Sequence, residues 1–418
     1  MKPNQYTIID LFAGTSALSE GFINNGFTPL AHIEMDKNAC DTIRTRVAYH
    51  YLRIHRKLSV YRKYLKGDIT REQLYKQIPQ EWMSTVINRE ISDNSVPDII
   101  TQIIESSLYK ENGGKVDFIV GGPPCQAYSM VVRHKDGIEE DDRCYLYRQY
   151  AKFIEAFHPM GFVFENVVGL KSAAGGKHYN EIQSLFHELG YNLVTNELHA
   201  NDYGVLQKRK RLIIFGWRSD IVYDDKEPKK IKEKWTTKDI FSDLESIQAG
   251  DKSERYISAP TSYLKRFKLR NSQDVLTWHE ARPLNQLDRQ KYIYAIQQRL
   301  ENHRNISYLE FNDELQTMKI ANAFTDRFKV IDPDGLSQTI VAHLSKDGHY
   351  YIYPSLDQVR SISVREAARL QSFPDNFFFE GSRSAAFKQI GNAVPPLLSE
   401  AIAKKVKKNL DKQLKSTE

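Results

Sequence analysis

The chain has 418 residues, of which 41% are hydrophobic and 11% aromatic, enough to bury a sizeable core across two or three domains. It contains no run of about 18 apolar residues, and its first residues move straight into a strand-like pattern. Neither a membrane span nor a secretory leader is therefore expected, and a cytoplasmic location is. A net charge of +6 permits a nucleic-acid partner without requiring one, and the three cysteines, Cys40, Cys125 and Cys144, lack the Cys-x-x-Cys spacing of a structural zinc site.

Residues 6–12 (YTIIDLF) are apolar and β-branched, the composition of a strand buried in a parallel sheet. Residues 13–22 turn and begin a helix, residues 27–34 (FTPLAHIE) form a second strand, and a helix follows through residues 41–47. That order opens a doubly wound α/β sheet. From residue 49 to 114 the chain is charged and tyrosine-rich and reads as a mixed helical extension on the surface, with Gly67-Asp68-Ile69-Thr70 as a loop beside the sheet. The strand rhythm returns at residues 116–120 and leads into the turn Gly122-Pro123-Pro124-Cys125-Gln126. A helix at 145–157, a strand at 161–165, a helix at 179–189 and strands at 192–198 and 212–217 follow. Residues 224–235 (DDKEPKKIKEKW) are a charge cluster of the kind that forms solvated linkers. No βα alternation is visible from there to residue 354, so this stretch is expected to be a second domain. Residues 363–373 (SVREAARLQSF) form a helix ended by Pro374-Asp375, and residues 397–410 an amphipathic helix running into a lysine-rich tail.

Five segments have residue types suited to chemistry. Gly14 lies at the first strand-to-helix turn, where small residues let backbone approach a ligand and the helix N-terminus offers free N–H groups. Glu34 ends the second strand, where a carboxylate can accept from ribose hydroxyls. Cys125 follows two prolines after a buried strand, the position where open α/β sheets expose reactive groups; a buried structural thiol is the other reading. Glu165 ends the next strand, as either a proton donor or a solvated side chain. Gln207, Arg209 and Arg211 share one face of an extended run, with Lys208 and Lys210 on the other. Such a run fits an anion-holding face or a basic edge that resists aggregation.

Taken in order, Asp10-Leu11-Phe12-Ala13-Gly14, the Pro-Pro-Cys turn, Glu165-Asn166-Val167, Gln207-Lys208-Arg209-Lys210-Arg211 and residues 360–375 and 387–396 resemble the motif set of DNA (cytosine-5) methyltransferases of the prokaryotic restriction-modification type. The resemblance implies a Rossmann-like, mostly parallel sheet typical of S-adenosylmethionine-dependent methyltransferases, interrupted by an irregular target-recognition domain. The corresponding division is a catalytic domain at 1–219, a recognition domain at 220–355 and a completing catalytic part at 356–418. By resemblance, S-adenosylmethionine contacts Phe12, Gly14, Thr15, Glu34, Met35, Asp68, Ile69, Pro124, Leu146, Asn392 and Val394. Cys125 would add to C6 of a flipped cytosine, Glu165 would act at N3, Arg211 would hold O2, and Arg209 would support the phosphate or the cysteine loop. Gln126, Gln207 and Thr339 would meet double-stranded DNA. No metal is called for. A monomer is expected, with any cognate restriction endonuclease acting as a separate protein. Ser16 and Ala17 stand where many members of this family carry glycines.

Three other readings compete. A zinc cytosine deaminase needs a second cysteine at position 128, which is Tyr128 here. A tRNA cytosine-5 methyltransferase of the same family carries a short insertion with a Cys-Phe-Thr signature that this chain lacks. A catalytically inactive DNA-binding regulator would not require Cys125, Glu165, Arg209 and Arg211 together. Residues 220–335 carry no readable code for a target sequence, although Arg266, Lys268, Arg270 and Arg282 supply positive charge there.

Overall fold

The computed structural model describes residues 6–124, 145–317 and 325–417. Cys125 and Gln126 lie outside the described residues.

Seven strands form one sheet in the order β3-β2-β1-β4-β5-β7-β6. They are β1 (Tyr6–Leu11), β2 (Phe27–Glu34), β3 (Val86–Asn88), β4 (Phe118–Gly121), β5 (Gly161–Asn166), β6 (Tyr191–His199) and β7 (Lys210–Arg218). The first five pair in parallel, whereas β7 runs antiparallel to both β5 and β6. Alternation along buried strands divides their side chains between two apolar layers. Ile9, Leu11, Ile119, Phe162 and Phe164 meet the helices Val96–Glu105, Leu146–Phe157 and Lys177–Glu188 on one face. Ile8, Phe118, Val120, Val163 and Phe215 pack on the other with Phe22, Leu398 and Ile402.

The reversal of β7 places the site. Because β7 runs against β5, its first residues lie beside the last residues of β5, with Glu165 opposite Ile213 and Asn166 opposite Leu212. The segment Gln207–Arg211 therefore enters at the carboxyl edge of the parallel strands, where β1 gives way to the Gly14 turn and β4 to Gly122.

Residues 49–114 are not one surface extension. Residues 49–83 form short helices around a satellite core of Leu52, Tyr61, Leu74 and Ile78. Beyond them the chain rejoins the main fold: β3 pairs with β2, and Ile87, Ile91, Val96, Ile99 and Ile103 enter the central core. Gly67-Asp68-Ile69-Thr70 is a turn inside the satellite helices, not a loop beside the sheet. The Asp68 N–H donates to the Lys63 carbonyl at 2.9 Å, and Ile69 packs on the satellite core.

Beyond β7 regular structure is sparse. Two-residue strands, Lys252–Ser253 and His279–Glu280, pair antiparallel, and the helix Gln286–Asn302 forms its own core with Tyr308, Phe311 and Phe328. Residues around Ile240, Tyr263 and Ile340 share a core with the helix Val364–Leu370 and with Phe373, Phe377 and Phe387. Ser363 caps that helix in a capping box with Glu366, which satisfies two otherwise orphaned N–H groups. The helix Pro396–Thr417 returns to the sheet and crosses Ala17–Asn24 so closely that a Cβ on Gly21 would lie 2.4 Å from the backbone of Ser399 and Glu400. Among the described residues, no helix is long and apolar enough to cross a membrane.

Candidate active site

The first group of site residues surrounds the turn after β1. Phe12, Gly14 and Ser16 all adopt positive φ, at 55°, 56° and 61°, so the backbone coils tightly, with the Ala13 N–H donating to the Ile33 carbonyl at 3.0 Å and the Ser16 N–H to the Ala13 carbonyl at 2.6 Å. A Cβ on Gly14 would meet nothing within 4 Å, which leaves open space above the loop. Glu34 closes the cradle from the end of β2: its carboxylate accepts from the Gly14 N–H and the Asp36 N–H, both at 2.8 Å. Burial pushes the Glu34 carboxyl above the usual carboxylate range, and the Asp36 and Gly14 N–H bonds pull against that shift. Met35, next in the chain, is 63% exposed, an unusual state for a methionine. Thr15 is buried and its hydroxyl has no hydrogen-bond partner in the structure. An orphaned hydroxyl, a carboxylate and a bare apolar side chain beside open space fit a ligand with polar and flat apolar parts.

The sequence reading missed one element of this cradle. The Asn88 side chain, at the end of β3, donates to the Glu34 and Met35 carbonyls at 3.1 and 3.0 Å and fixes the rim. Val86-Ile87 was the available signal, too short to stand out as a strand. Asp68 and Ile69, assigned to the cradle by resemblance, sit in the turn between two satellite helices instead.

The second group lies one and two strands away. Glu165 and Arg211 form an ion pair of 2.7 Å, with side chains 13% and 14% exposed. Strand geometry explains the pair: Ile213 is directly opposite Glu165, and Arg211, two residues earlier, projects from the same face. The Gly122 backbone packs against the same carboxylate, since a Cβ there would lie 2.5 Å from Glu165 Oε2. Asn166 donates to the Pro123 carbonyl at 3.3 Å, tying the end of β5 to the Pro-Pro segment. Pro124 is half-buried at that edge, and Leu146 opens the helix on the far side of the Cys125 segment.

Gln207 and Arg209 do share a face with Arg211, but they point inward. Gln207 is fully buried, so it is not a surface contact for DNA here. It donates to the Leu370 carbonyl at 2.9 Å and the Gln371 side chain at 2.7 Å, and accepts from the Ile340 N–H at 3.0 Å. Arg209 is 1% exposed and donates to the carbonyls of Ile340 at 2.7 Å and Ala393 at 2.8 Å. It thereby joins the catalytic strand to the 335–343 segment and to the link before the last helix, rather than holding a solvent-facing phosphate. Thr339 remains half-buried, its hydroxyl donating to the Lys208 carbonyl. Asn392 is exposed at the end of the helix Arg383–Asn392, and Val394 packs in the layer that holds Leu18 and Phe22.

Comparison with known proteins agrees with this geometry. The family described as "C-5 cytosine-specific DNA methylase" matches residues 83–408, most of the chain. The type II methyltransferase M.Bpa9945I of Bacillus paralicheniformis is 39% identical, covering 96% of this chain and 98% of its own length. The type II methyltransferase M.AgeI of Thalassovita gelatinovora is 31% identical over 70% of this chain and 83% of its own. Among solved structures, an E. coli prophage-encoded protein described as a DNA modification methyltransferase superposes with a TM-score of 0.66 at 22% identity, covering 97% of this chain and 100% of its own. At that identity it attests the fold, the mostly parallel sheet of Rossmann-like methyltransferases. The chain belongs to the C-5 cytosine-specific DNA methylase family, and its activity is methyl transfer to C5 of cytosine in DNA.

Proposed function

We propose that the protein methylates a cytosine flipped out of duplex DNA through a transient bond between Cys125 and C6, with S-adenosylmethionine as donor. A stacked base hides both C5 and C6, so the target must leave the helix to reach the carboxyl edge of the sheet. The Cys125 thiolate adds to C6 and pushes electron density toward N3 and C5. Glu165 assists at N3 as that charge develops, and Arg211 fixes the Glu165 side chain at 2.7 Å. When bound, the donor supplies an electrophilic methyl group on a sulfonium. Once C5 carries the methyl, loss of its proton restores the double bond and expels the Cys125 thiolate, leaving 5-methylcytosine.

The residues at the Gly14 turn suit that donor. The open space over Gly14 receives the amino-acid end of the donor, Glu34 accepts from the ribose hydroxyls, and Phe12 and Met35 border the adenine. Thr15, Pro124, Leu146, Asn392 and Val394 complete the wall. By this reading Thr339 meets the DNA, as does Gln126, which lies outside the described residues. The relatives named as type II methyltransferases support a modification role beside a separate restriction endonuclease, and we infer a cytoplasmic monomer.

The observation that carries this reading is the Glu165–Arg211 pair against the Gly122–Pro124 backbone, immediately before Cys125 in the chain. Duplex DNA carrying 5-fluorocytosine at the target tests it, because fluorine blocks the final elimination. With S-adenosylmethionine present, the wild-type protein should form a denaturation-resistant adduct mapping to Cys125, and Cys125→Ser none. Methylation of ordinary DNA without any trapped adduct would overturn the covalent route.

A further inference from the structure

Beneath the Gly14 turn lies a buried polar cluster that the reaction does not use. Asp10, Ser16, Ser19 and His32 are all 3% exposed or less. Ser19 donates to Asp10 Oδ2 at 2.8 Å, the Ser16 and Ser19 hydroxyls are in contact, and His32 Nδ1 lies 3.1 Å from Ser16 Oγ and 3.5 Å from Asp10 Oδ2. With His32 protonated at Nδ1, every donor finds an acceptor: His32 gives to Ser16, Ser16 to Ser19, and Ser19 to the Asp10 carboxylate. The chain of donors begins on β2, ends on β1, and passes through the residue at the N-cap of the first helix.

Ser16 is the reason such a cluster matters. Its φ of 61° and ψ of 25° are left-handed, a conformation in which a non-glycine residue is disfavoured by about tenfold relative to glycine. It also makes no capping bond to the helix it precedes. Its N–H donates to the Ala13 carbonyl at 2.6 Å and its carbonyl accepts from the Glu20 N–H at 2.9 Å, and its hydroxyl is drawn sideways into the cluster, so the cluster adds a side-chain anchor to a turn that leads from Gly14 and Thr15.

We propose that Asp10, Ser19 and His32 are positioning residues for the methyl donor, holding Ser16 in the left-handed conformation that keeps the turn receptive. This inference rests on the reading that the Gly14 turn binds S-adenosylmethionine. Its consequence is specific. Glycine at position 16 adopts the same conformation without help, so it makes the cluster dispensable for donor binding.

The test measures binding of S-adenosylhomocysteine to the full chain by titration calorimetry, with thermal unfolding of each variant alongside. Ser19→Ala, a mild change in a helix, should weaken binding about tenfold while KM for DNA stays near the wild-type value. Adding Ser16→Gly to Ser19→Ala should return affinity to within about threefold of wild type. His32→Gln and its pair with Ser16→Gly should follow the same pattern. A Ser19→Ala variant that binds as wild type overturns the proposal, as does a loss that Ser16→Gly leaves unrepaired, because the cluster then supports the fold and not the turn. If the wild-type protein itself binds no S-adenosylhomocysteine, the donor reading fails and takes this inference with it.

Discussion

The sheet half of the molecule and the irregular half after β7 solve the same problem with different groups. In the sheet, hydrogen-bond ladders satisfy the backbone, and the space between layers fills with Phe, Ile, Val and Tyr side chains. After β7 few ladders exist, yet many backbone carbonyls are buried, and arginines take over as donors. Arg365, fully buried, donates to the carbonyls of Thr277 and Phe377, both at 3.0 Å. Arg360 reaches the Ile247 carbonyl and grips Glu366 with two bonds of 2.7 and 2.8 Å. Arg369 bonds the Ile240 carbonyl and pairs with both Asp243 and Asp375 at 2.5 Å. A planar guanidinium with five donors can serve several acceptors that lie in no regular array. Irregular chain thus acquires a fixed shape at the expense of buried charge.

That contrast is open to direct attack. Arg369→Met would take one cation from two fully buried carboxylates, leaving Asp243 to Arg270 and Asp375 to Tyr256 and Arg365, and removing one partner of such a network costs about 3–5 kcal/mol. Ile119→Val in the sheet should cost only about 1 kcal/mol. Urea unfolding checks both, and an Arg369→Met loss no greater than that of Ile119→Val would break the comparison.

At the boundary between the halves, Glu165 is expected to matter to chemistry and not to fold. Glu165→Gln should lower kcat by about 100-fold or more, the usual contribution of proton transfer, while gel-shift affinity for target DNA is retained. Comparable losses in unfolding stability and turnover would place Glu165 with the structural ion pairs instead.

A smaller effect concerns pH. Burial outweighs the Asp36 and Gly14 N–H bonds and leaves the Glu34 carboxyl above its ordinary range, so the folded protein holds that proton more tightly than a free carboxyl would. The ionised form is the one that accepts from ribose hydroxyls. Donor affinity should therefore be full above that raised value and fall as pH drops through it, beginning at a higher pH than for a solvated glutamate. Calorimetric titration against pH checks this, and Glu34→Gln, already weaker, should flatten the profile.

Much of this architecture was readable in the chain, for reasons that also mark the boundary. β1, β4, β5 and β7 announce themselves because strands buried on both faces are near-continuous apolar runs. β3 does not, since three residues give no periodicity. The Gly67-Asp68-Ile69-Thr70 turn looks like a sheet-edge loop in isolation, but no strand precedes it; it joins two helices around a separate core. Period-two alternation correctly set Gln207, Arg209 and Arg211 on one face. It could not tell what covers that face, which depends on Ile340, Leu370, Gln371 and Ala393, all more than 130 residues away in sequence. Local pattern gives orientation; burial is decided by distant chain.

The most direct test is transfer of a labelled methyl group from S-adenosylmethionine to unmodified duplex DNA, followed by nucleoside analysis. Label should appear as 5-methylcytosine with the wild-type protein and be absent with Cys125→Ser. Wild-type protein that binds the donor and DNA yet leaves cytosine unlabelled, or a Cys125→Ser variant that labels it at a comparable rate, would contradict the account.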